Sequence, residues 1–516
     1  MNNNVLKFFV ALVVLGSFNC AYSYDIKGVS PVNPLDSASK KYNKELSMPA
    51  FELKRAKLTK NAIKNEYAIA MDKFIKSNVR ASYSDFKVLI DSVSPNDYVY
   101  MRLAHEMASL GFFNLAELAM SKIEDNELCS YLDDDVKRFY FPSSNLTQKD
   151  QLYLAELYSN IMYNDQSKEA TAELSKQTTL LMESDYANYI IALGSLKNGN
   201  IEDAINYINK AIDKNSKNLN YKKLKAEILA QNGNQKEALN ILKDINNSNL
   251  KTVVFDEDIH SSREYILYKT SKNDYLKKYH LAHYYYDKNE LAKSLGVLQT
   301  SISGKKNLNK DVYALTSRVY FGMKEYEKAQ DYAQKALDID KTDNSALIVM
   351  GDVAYRNKDY NEALKYYKRA QAKDNNYNAS LKSAQAYLSL NQINKAKDIY
   401  SKILKVSSKA YLAYYNMALL ETDRENEYLK KAIAINPDFK DGWIDLARVF
   451  IKKNKLDNAL SCLGIAKYID DSDYRYYYYF GLVLKEKGLF ASANENFEQS
   501  LKLNPDYEPV KKELNI

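Results

Sequence analysis

Residues 474–507 read YRYYYYFGLVLKEKGLFASANENFEQSLKLNPDY. Counted from Tyr474, Tyr477, Phe480, Gly481 and Leu484 fall at positions 4, 7, 8 and 11, which is the i, i+3, i+4, i+7 stripe of one helix face. Ala493, Phe497 and Ser500, at positions 20, 24 and 27, repeat the stripe on a second helix. Gly488 at position 15 tolerates the left-handed conformation that ends a helix, and Pro505 at position 32 closes the stretch. The unit is therefore two short helices joined by a tight turn.

The same frame recurs along the chain. Residues 440–473 place Trp443, Leu446, Ala447, Phe450, Ala459, Leu463 and Ala466 at positions 4, 7, 8, 11, 20, 24 and 27. A shortened unit, 411–439, precedes it, and earlier units begin at 377, 344, 310, 275, 219 and 185, with fainter ones at 151 and 97. Position 20 is Ala at Ala116, Ala170, Ala204, Ala238, Ala329, Ala363, Ala396, Ala459 and Ala493, with Ser294 the exception. Position 8 is also small, as at Ala282, Ser317, Gly351, Ala384, Ala418, Ala447 and Gly481. Two antiparallel helices approach closely only where both present small side chains. Position 15 is Gly or Asn at Gly111, Gly199, Gly233, Asn289, Asn391, Asn454 and Gly488.

The pattern resembles the tetratricopeptide repeat, whose W-x2-L-G-x2-Y…A-x3-F…P signature it nearly reproduces, with the only Trp of the chain at the signature position. The resemblance implies an all-α superhelical solenoid of antiparallel helix pairs that works as a non-catalytic scaffold and binds a protein or peptide partner in a concave groove. In that family positions 2, 5, 9, 12 and 13 line the groove. Carried over, they give Arg448, Lys452, Arg475, Tyr478, Lys485, Tyr355, Arg356 and Tyr415 as the candidate partner-binding residues, with Tyr186, Tyr189, Tyr279, His283, Tyr286, Arg318 and Phe321 at equivalent positions. Exposed Tyr and Arg are the types most enriched at binding hot spots. The clamp that some members use for chaperone tails is unsupported, because Lys223 at position 5 is followed by Glu227, not Asn, at position 9.

The rest of the chain frames this array. Residues 1–23 have the form of an export signal, with Lys7, an apolar run from Phe8 to Phe18 and small residues at Ala21 and Ser23. A lipid anchor at Cys20 is the alternative, although Ser17-Phe18-Asn19 is a poor context for one. The expected location is outside the cytoplasm, in a periplasmic or extracellular space or, if lipidated, on the envelope. Residues 24–60 read as a flexible leader and 61–150 as degenerate helical repeats, with an inserted loop over 131–150. Residues 151–252 and 275–507 form two repeat blocks, and 508–516 are a tail. The interruption at 253–274 fits either a loop or an extra helix.

Composition narrows the function. A formal net charge of +7 over 516 residues, without long single-sign runs, argues against nucleic acid as a partner. No stretch outside the repeats is long enough to bury a catalytic core, and no phosphate-binding glycine loop or nucleophile elbow is present. No catalytic, cofactor or metal site is expected. His280 and His283 lie three apart on one helix but have no third ligand beside them in sequence, and Cys129 and Cys462 lack a CxxC partner. The 45 tyrosines keep a second reading open, a cell-wall or glycan-binding assembly factor, since aromatic faces stack on sugar rings. A repeat-bearing enzyme with a surface site is the third.

Overall fold

The computed structural model describes residues 60–93, 96–253, 256–302, 309–374, 377–407 and 409–515. The expected export signal, Cys20 and the leader before Lys60 lie outside the described residues. Among the described residues every regular element is helical, and no helix is long and apolar enough to cross a membrane.

The chain opens with α1 (Lys60–Ile75), α2 (Val79–Ser92), α3 (Asp97–Ser109), α4 (Phe113–Met120), α5 (Asn126–Tyr140), α6 (Gln148–Tyr163) and the short α7 (Ser167–Ser175) and α8 (Thr178–Glu183). Regular alternation follows: α9 (Asp185–Lys197), α10 (Ile201–Lys214), α11 (Leu219–Gln231), α12 (Gln235–Asn246), α13 (Asp256–Thr270), α14 (Asp274–Asp287), α15 (Leu291–Ile302), α16 (Lys310–Gly322), α17 (Tyr326–Ile339), α18 (Asn344–Arg356), α19 (Tyr360–Asp374), α20 (Tyr377–Ser389), α21 (Ile393–Val406) and α22 (Tyr411–Leu420). The series ends with α23 (Glu425–Ile435), α24 (Lys440–Lys452), α25 (Leu456–Ile469), α26 (Tyr474–Glu486), α27 (Phe490–Leu503) and α28 (Glu508–Leu514). Consecutive helices pack as pairs, and the chain divides into two compact units. Of the described residues, one comprises those up to Asp133, Gln148–Ser159 and those from Leu429 on; the other comprises those of Asp134–Thr147 and Asn160–Tyr428.

Local chemistry sets each pair. The residue just before a first helix caps it with a side-chain oxygen: Ser184 accepts from the Ala187 N–H, Asn218 from Tyr221, Asn309 from Asp311, Asp343 from Ala346 and Asp473 from Arg475. The turn after it is left-handed at position 15 in every clear unit. Gly111, Gly199, Gly233 and Gly488 have φ of 83°, 77°, 83° and 78°, and Asn289, Asn391 and Asn454 have 55°, 59° and 54°. Lys324 and Lys358 adopt the same conformation, at 65° and 62°, without the side chain that favours it.

The crossing of each pair is closed by the small positions. A methyl group on Gly481 would come within 2.6 Å of Phe497 and 3.2 Å of the Ala493 carbonyl oxygen, so positions 8, 20 and 24 of the last unit meet at one point. Where Ser294 replaces the usual Ala at position 20, its hydroxyl donates to the carbonyl of Ala282 at position 8 (2.8 Å) and is satisfied within the same crossing. Trp443 is 3% exposed, and its indole N–H donates to the Pro437 carbonyl (2.8 Å), tying that unit to the end of the one before.

In the first unit, helices far apart in sequence also meet. The guanidinium of Arg102 on α3 pairs with Asp438, and the ring of Tyr98 packs against Tyr468 of α25 with centroids 5.6 Å apart. Lys430 lies 3.8 Å from Asp125. Contacts in this unit are thus not confined to neighbouring repeats, as a simple stack of repeats would have them. Cys129 and Cys462 are both free thiols, and burial pushes the Cys462 thiol up.

One segment differs from its reading in sequence, and one that the sequence leaves open is helical. Much of 131–150 is helical: α5 continues to Tyr140 because Leu132, Val136 and Phe139 form one buried stripe. Its Asp135 gains tertiary partners, accepting from the Lys251 and Thr252 backbone N–H groups (2.9 and 2.8 Å) and the Thr252 hydroxyl (2.7 Å). In 253–274, left open as loop or helix, α13 spans Asp256–Thr270 and packs on α14.

Candidate functional site

The expected groove residues divide between the two units. In the first unit the cations are drawn into ion pairs with neighbouring carboxylates. Arg475 pairs with Asp473 (2.7 Å) and with Asp441 of the preceding repeat, and Lys440 bridges Asp470 and Asp473 at 2.8 Å each. Burial pushes Asp473 up, but Arg475 and Lys440 outweigh it and hold the carboxyl well below its ordinary range. Arg448 is bound to Asp445 at 3.0 Å, and Lys485 to Glu513 of α28 at 2.8 Å. Tyr478 is half-buried and packs edge-on against Tyr507, centroids 5.3 Å apart. Lys452 is exposed. The candidate cations Arg448, Arg475 and Lys485 of the last two repeats are thus neutralised locally.

In the second unit, Tyr355 shares a 2.8 Å hydrogen bond with Ser389, and Arg356 lays its guanidinium 4.0 Å over the ring of Tyr326. Tyr415 is only 6% exposed and faces the core, because α22 buries both sides of its short length. Tyr186 and Tyr189 are buried too, stacked on each other at 5.8 Å, and Tyr189 also stacks on Tyr221 at 5.1 Å.

A different cluster of the concave positions comes together on α14. This helix carries five tyrosines and two histidines in fourteen residues, yet Ala282 alone is buried. The first helices α9, α11, α16, α18, α20 and α24 each bury six to eleven residues. Along the α14 face the rings of Tyr279, His283 and Tyr286 are parallel, with centroids 5.9 and 6.2 Å apart and interplanar angles of 15° and 11°. Arg318 of α16 completes the stack, its guanidinium 4.3 Å above the Tyr286 ring and its Nη1 donating to His283 Nε2 at 3.3 Å.

Beneath the stack, α13 contributes Glu264, whose side chain is 2% exposed. Its Oε2 lies 2.8 Å from His280 Nδ1 and 3.3 Å from His283 Nδ1, and Arg263 donates to its other oxygen. Burial pushes this carboxyl up, but His280, His283 and Arg263 together hold it well below the usual carboxylate range. His260 pairs with Asp287 at 2.9 Å, which raises the imidazole above its ordinary value. Among the described residues no group of three or more His, Cys, Asp or Glu side chains is placed to hold a metal ion. The Nδ1 atoms of His280 and His283 lie 2.8 and 3.3 Å from the carboxylate and the Arg263 guanidinium is bound to it, which disfavours a cation there.

Register alone points to Tyr279, His283, Tyr286 and Arg318. It missed His260 and Glu264, which sit in the interruption where the 34-residue frame gives no register. Their spacing of four on one helix, set against His280 and His283, was the available signal.

Residues 354–417, 191–245 with 315–378, and 474–507 match three family models, each described as a tetratricopeptide repeat. The chain is 27% identical over 195 residues to BBSome complex member BBS4 of Bos taurus, covering 36% of this chain and 37% of that protein. It is 26% identical over 224 residues to a TPR repeat-containing protein of Methanocaldococcus jannaschii, covering 41% and 36%. The chain thus spans little more than a third of the length of either relative. A chain of the APC/C hetero-tetramer Cut9–Hcn1 aligns over 89% of this chain and 96% of its own, at 12% identity and a TM-score of 0.45. With the helix pairs, the left-handed turns and the small crossings in one recurring frame, the chain is a tetratricopeptide-repeat protein.

Proposed function

We propose that this protein is a non-catalytic scaffold, exported to the bacterial envelope, that docks a protein or peptide partner on the ring face of α14. The observation that carries the reading is the unburied aromatic face of that helix: five tyrosines, two histidines and one buried residue, where comparable helices bury at least six. Half-exposed tyrosines offer large contact area at low entropic cost, as binding anchors do. Export rests on the apolar run from Phe8 to Phe18 and the small residues before Tyr24.

The test is site-specific photocrosslinking of the mature protein in its own envelope, with the crosslinker at residue 286 and, for comparison, at residue 478. Docking on α14 predicts a protein adduct from position 286 that is lost when Tyr279 is changed to Ala. An adduct only from position 478 returns the site to the last two repeats. Sedimentation of the protein with purified cell wall, abolished by the same Tyr279→Ala change, would instead favour a glycan ligand.

A further inference from the structure

Three of the four histidines of this chain meet on one hairpin, His260 on α13 and His280 and His283 on α14. Of these, His283 alone lies between an anion and a cation. Its Nδ1 is 3.3 Å from the Glu264 carboxylate, and its Nε2 is 3.3 Å from Arg318 Nη1. A guanidinium can only donate, so Nε2 must be the acceptor and the ring proton sits on Nδ1, facing Glu264. The neutral tautomer is therefore fixed by the contact at Nε2, while Nδ1 lies near the Glu264 carboxylate without a hydrogen bond, and the ring holds α14 to α16 through Arg318. Glu264 stays ionised across the range in which histidines titrate, since His280 and Arg263 hold it low.

Resting on the reading of this tract as the docking surface, we propose that His283 is an acid-operated latch between α14 and α16, releasing Arg318 from the ring stack when it takes up a proton at Nε2. Protonation removes the acceptor that Arg318 uses and sets two cations edge to edge. Glu264 supplies the countercharge on the other side, so the imidazolium stays in place and Arg318 is the group displaced. The freed guanidinium then presents its donor fork to a carboxylate of the partner.

Other charged groups around His283 do not cancel the effect. On α14, His280 shares Glu264, and Asp287 is taken by His260. On α13, Arg263 is bound to Glu264. From α16 and the start of α18, Asp311 and Asp343 act on Tyr279. Lys293, on α15, pairs with Glu290 and lies over Tyr285. Among the described residues, no charged group of α11 or α12 forms an ion pair with Glu264 or His283.

The experiment is amide hydrogen exchange, corrected for intrinsic rates, at about pH 8 and about pH 5, which bracket imidazole protonation. It needs no partner, so it judges the latch separately from the docking reading. In the wild-type chain, protection over Asp274–Asp287 and Lys310–Gly322 should fall about tenfold on acidification, relative to α9 and α10. Arg318→Gln removes the opposing cation, and the fall should shrink to under about twofold. Protection that tracks α9 and α10 in the wild type, or an equal fall in Arg318→Gln, overturns the latch. Nitrogen chemical shifts at about pH 8 give an independent check: a His283 proton on Nδ1 supports the latch, and one on Nε2 overturns it.

Discussion

Gly481 lies directly beneath the ring of Phe497: a methyl group at Gly481 would approach Cε1 to 2.6 Å. The same relationship joins Gly351 and Tyr367 in the repeat that begins at residue 344. Position 8 is small because the ring at position 24 of the paired helix occupies the space a side chain would take.

Gly481→Ala should therefore destabilise the last repeat by about 1–3 kcal/mol through overpacking. Chemical denaturation followed by hydrogen exchange checks this, with the loss appearing first over Tyr474–Leu503. A neutral or stabilising change would mean that Phe497 moves aside freely.

Lys358 holds φ of 62° at a turn where most other units have Gly or Asn. Lys358→Gly should raise stability by up to about 1 kcal/mol, because a side chain in the left-handed region costs about 1–2 kcal/mol and glycine gives back part of that in chain entropy. The reciprocal Gly488→Lys should lose a similar amount. Paired urea titrations of the two variants measure both signs.

The periodic parts of this fold were legible because each residue type answers to a local requirement that repeats. Ala459 and Gly481 mark crossings, and Gly488 and Asn454 mark left-handed turns. Lys324 and Lys358 did not show, because neighbouring structure imposes their turn against their own preference. Ion pairing was half legible: Asp445 stands three residues before Arg448, so the neutralisation of that cation could have been read from helix spacing. The pairing of Arg102 with Asp438 could not, since it joins repeats that share no boundary in sequence. Glu264 beneath His280 and His283 was hidden for a related reason, lying in the one stretch where the frame is interrupted.

Arg102 and Asp438 form a largely buried pair, with side chains 10% and 22% exposed. Removing one partner of a buried pair leaves the other charge uncompensated. Asp438→Ala should cost about 3 kcal/mol or more, and hydrogen exchange should speed up in Asp97–Ser109 as well as in Lys440–Ile469. Faster exchange confined to the C-terminal segment would show that the contact contributes nothing to α3.

Acid should weaken the last two repeats through Asp473. Its folded carboxyl is held below its unfolded value by Arg475 and Lys440, so the contribution is complete above the unfolded range near pH 4 and is lost as pH falls through the folded value. Urea midpoints measured from about pH 6 down to about pH 3 should decline in the parent chain. Asp473→Asn should start lower and decline less steeply; an unchanged slope would assign the acid sensitivity to other carboxylates.

The central claim is that the partner docks on α14 and not on the last two repeats. A pull-down with quantitative crosslinking, using mature protein in its own envelope, compares three chains: the parent, Tyr279→Ala with Tyr286→Ala, and Tyr478→Ala with Arg448→Ala. Anchor truncation typically costs about 2 kcal/mol or more, so the α14 double variant should lose captured partner by about thirtyfold while retaining its helical content. The C-terminal double variant should retain it. Capture that survives the α14 changes and fails with the C-terminal ones would contradict the account.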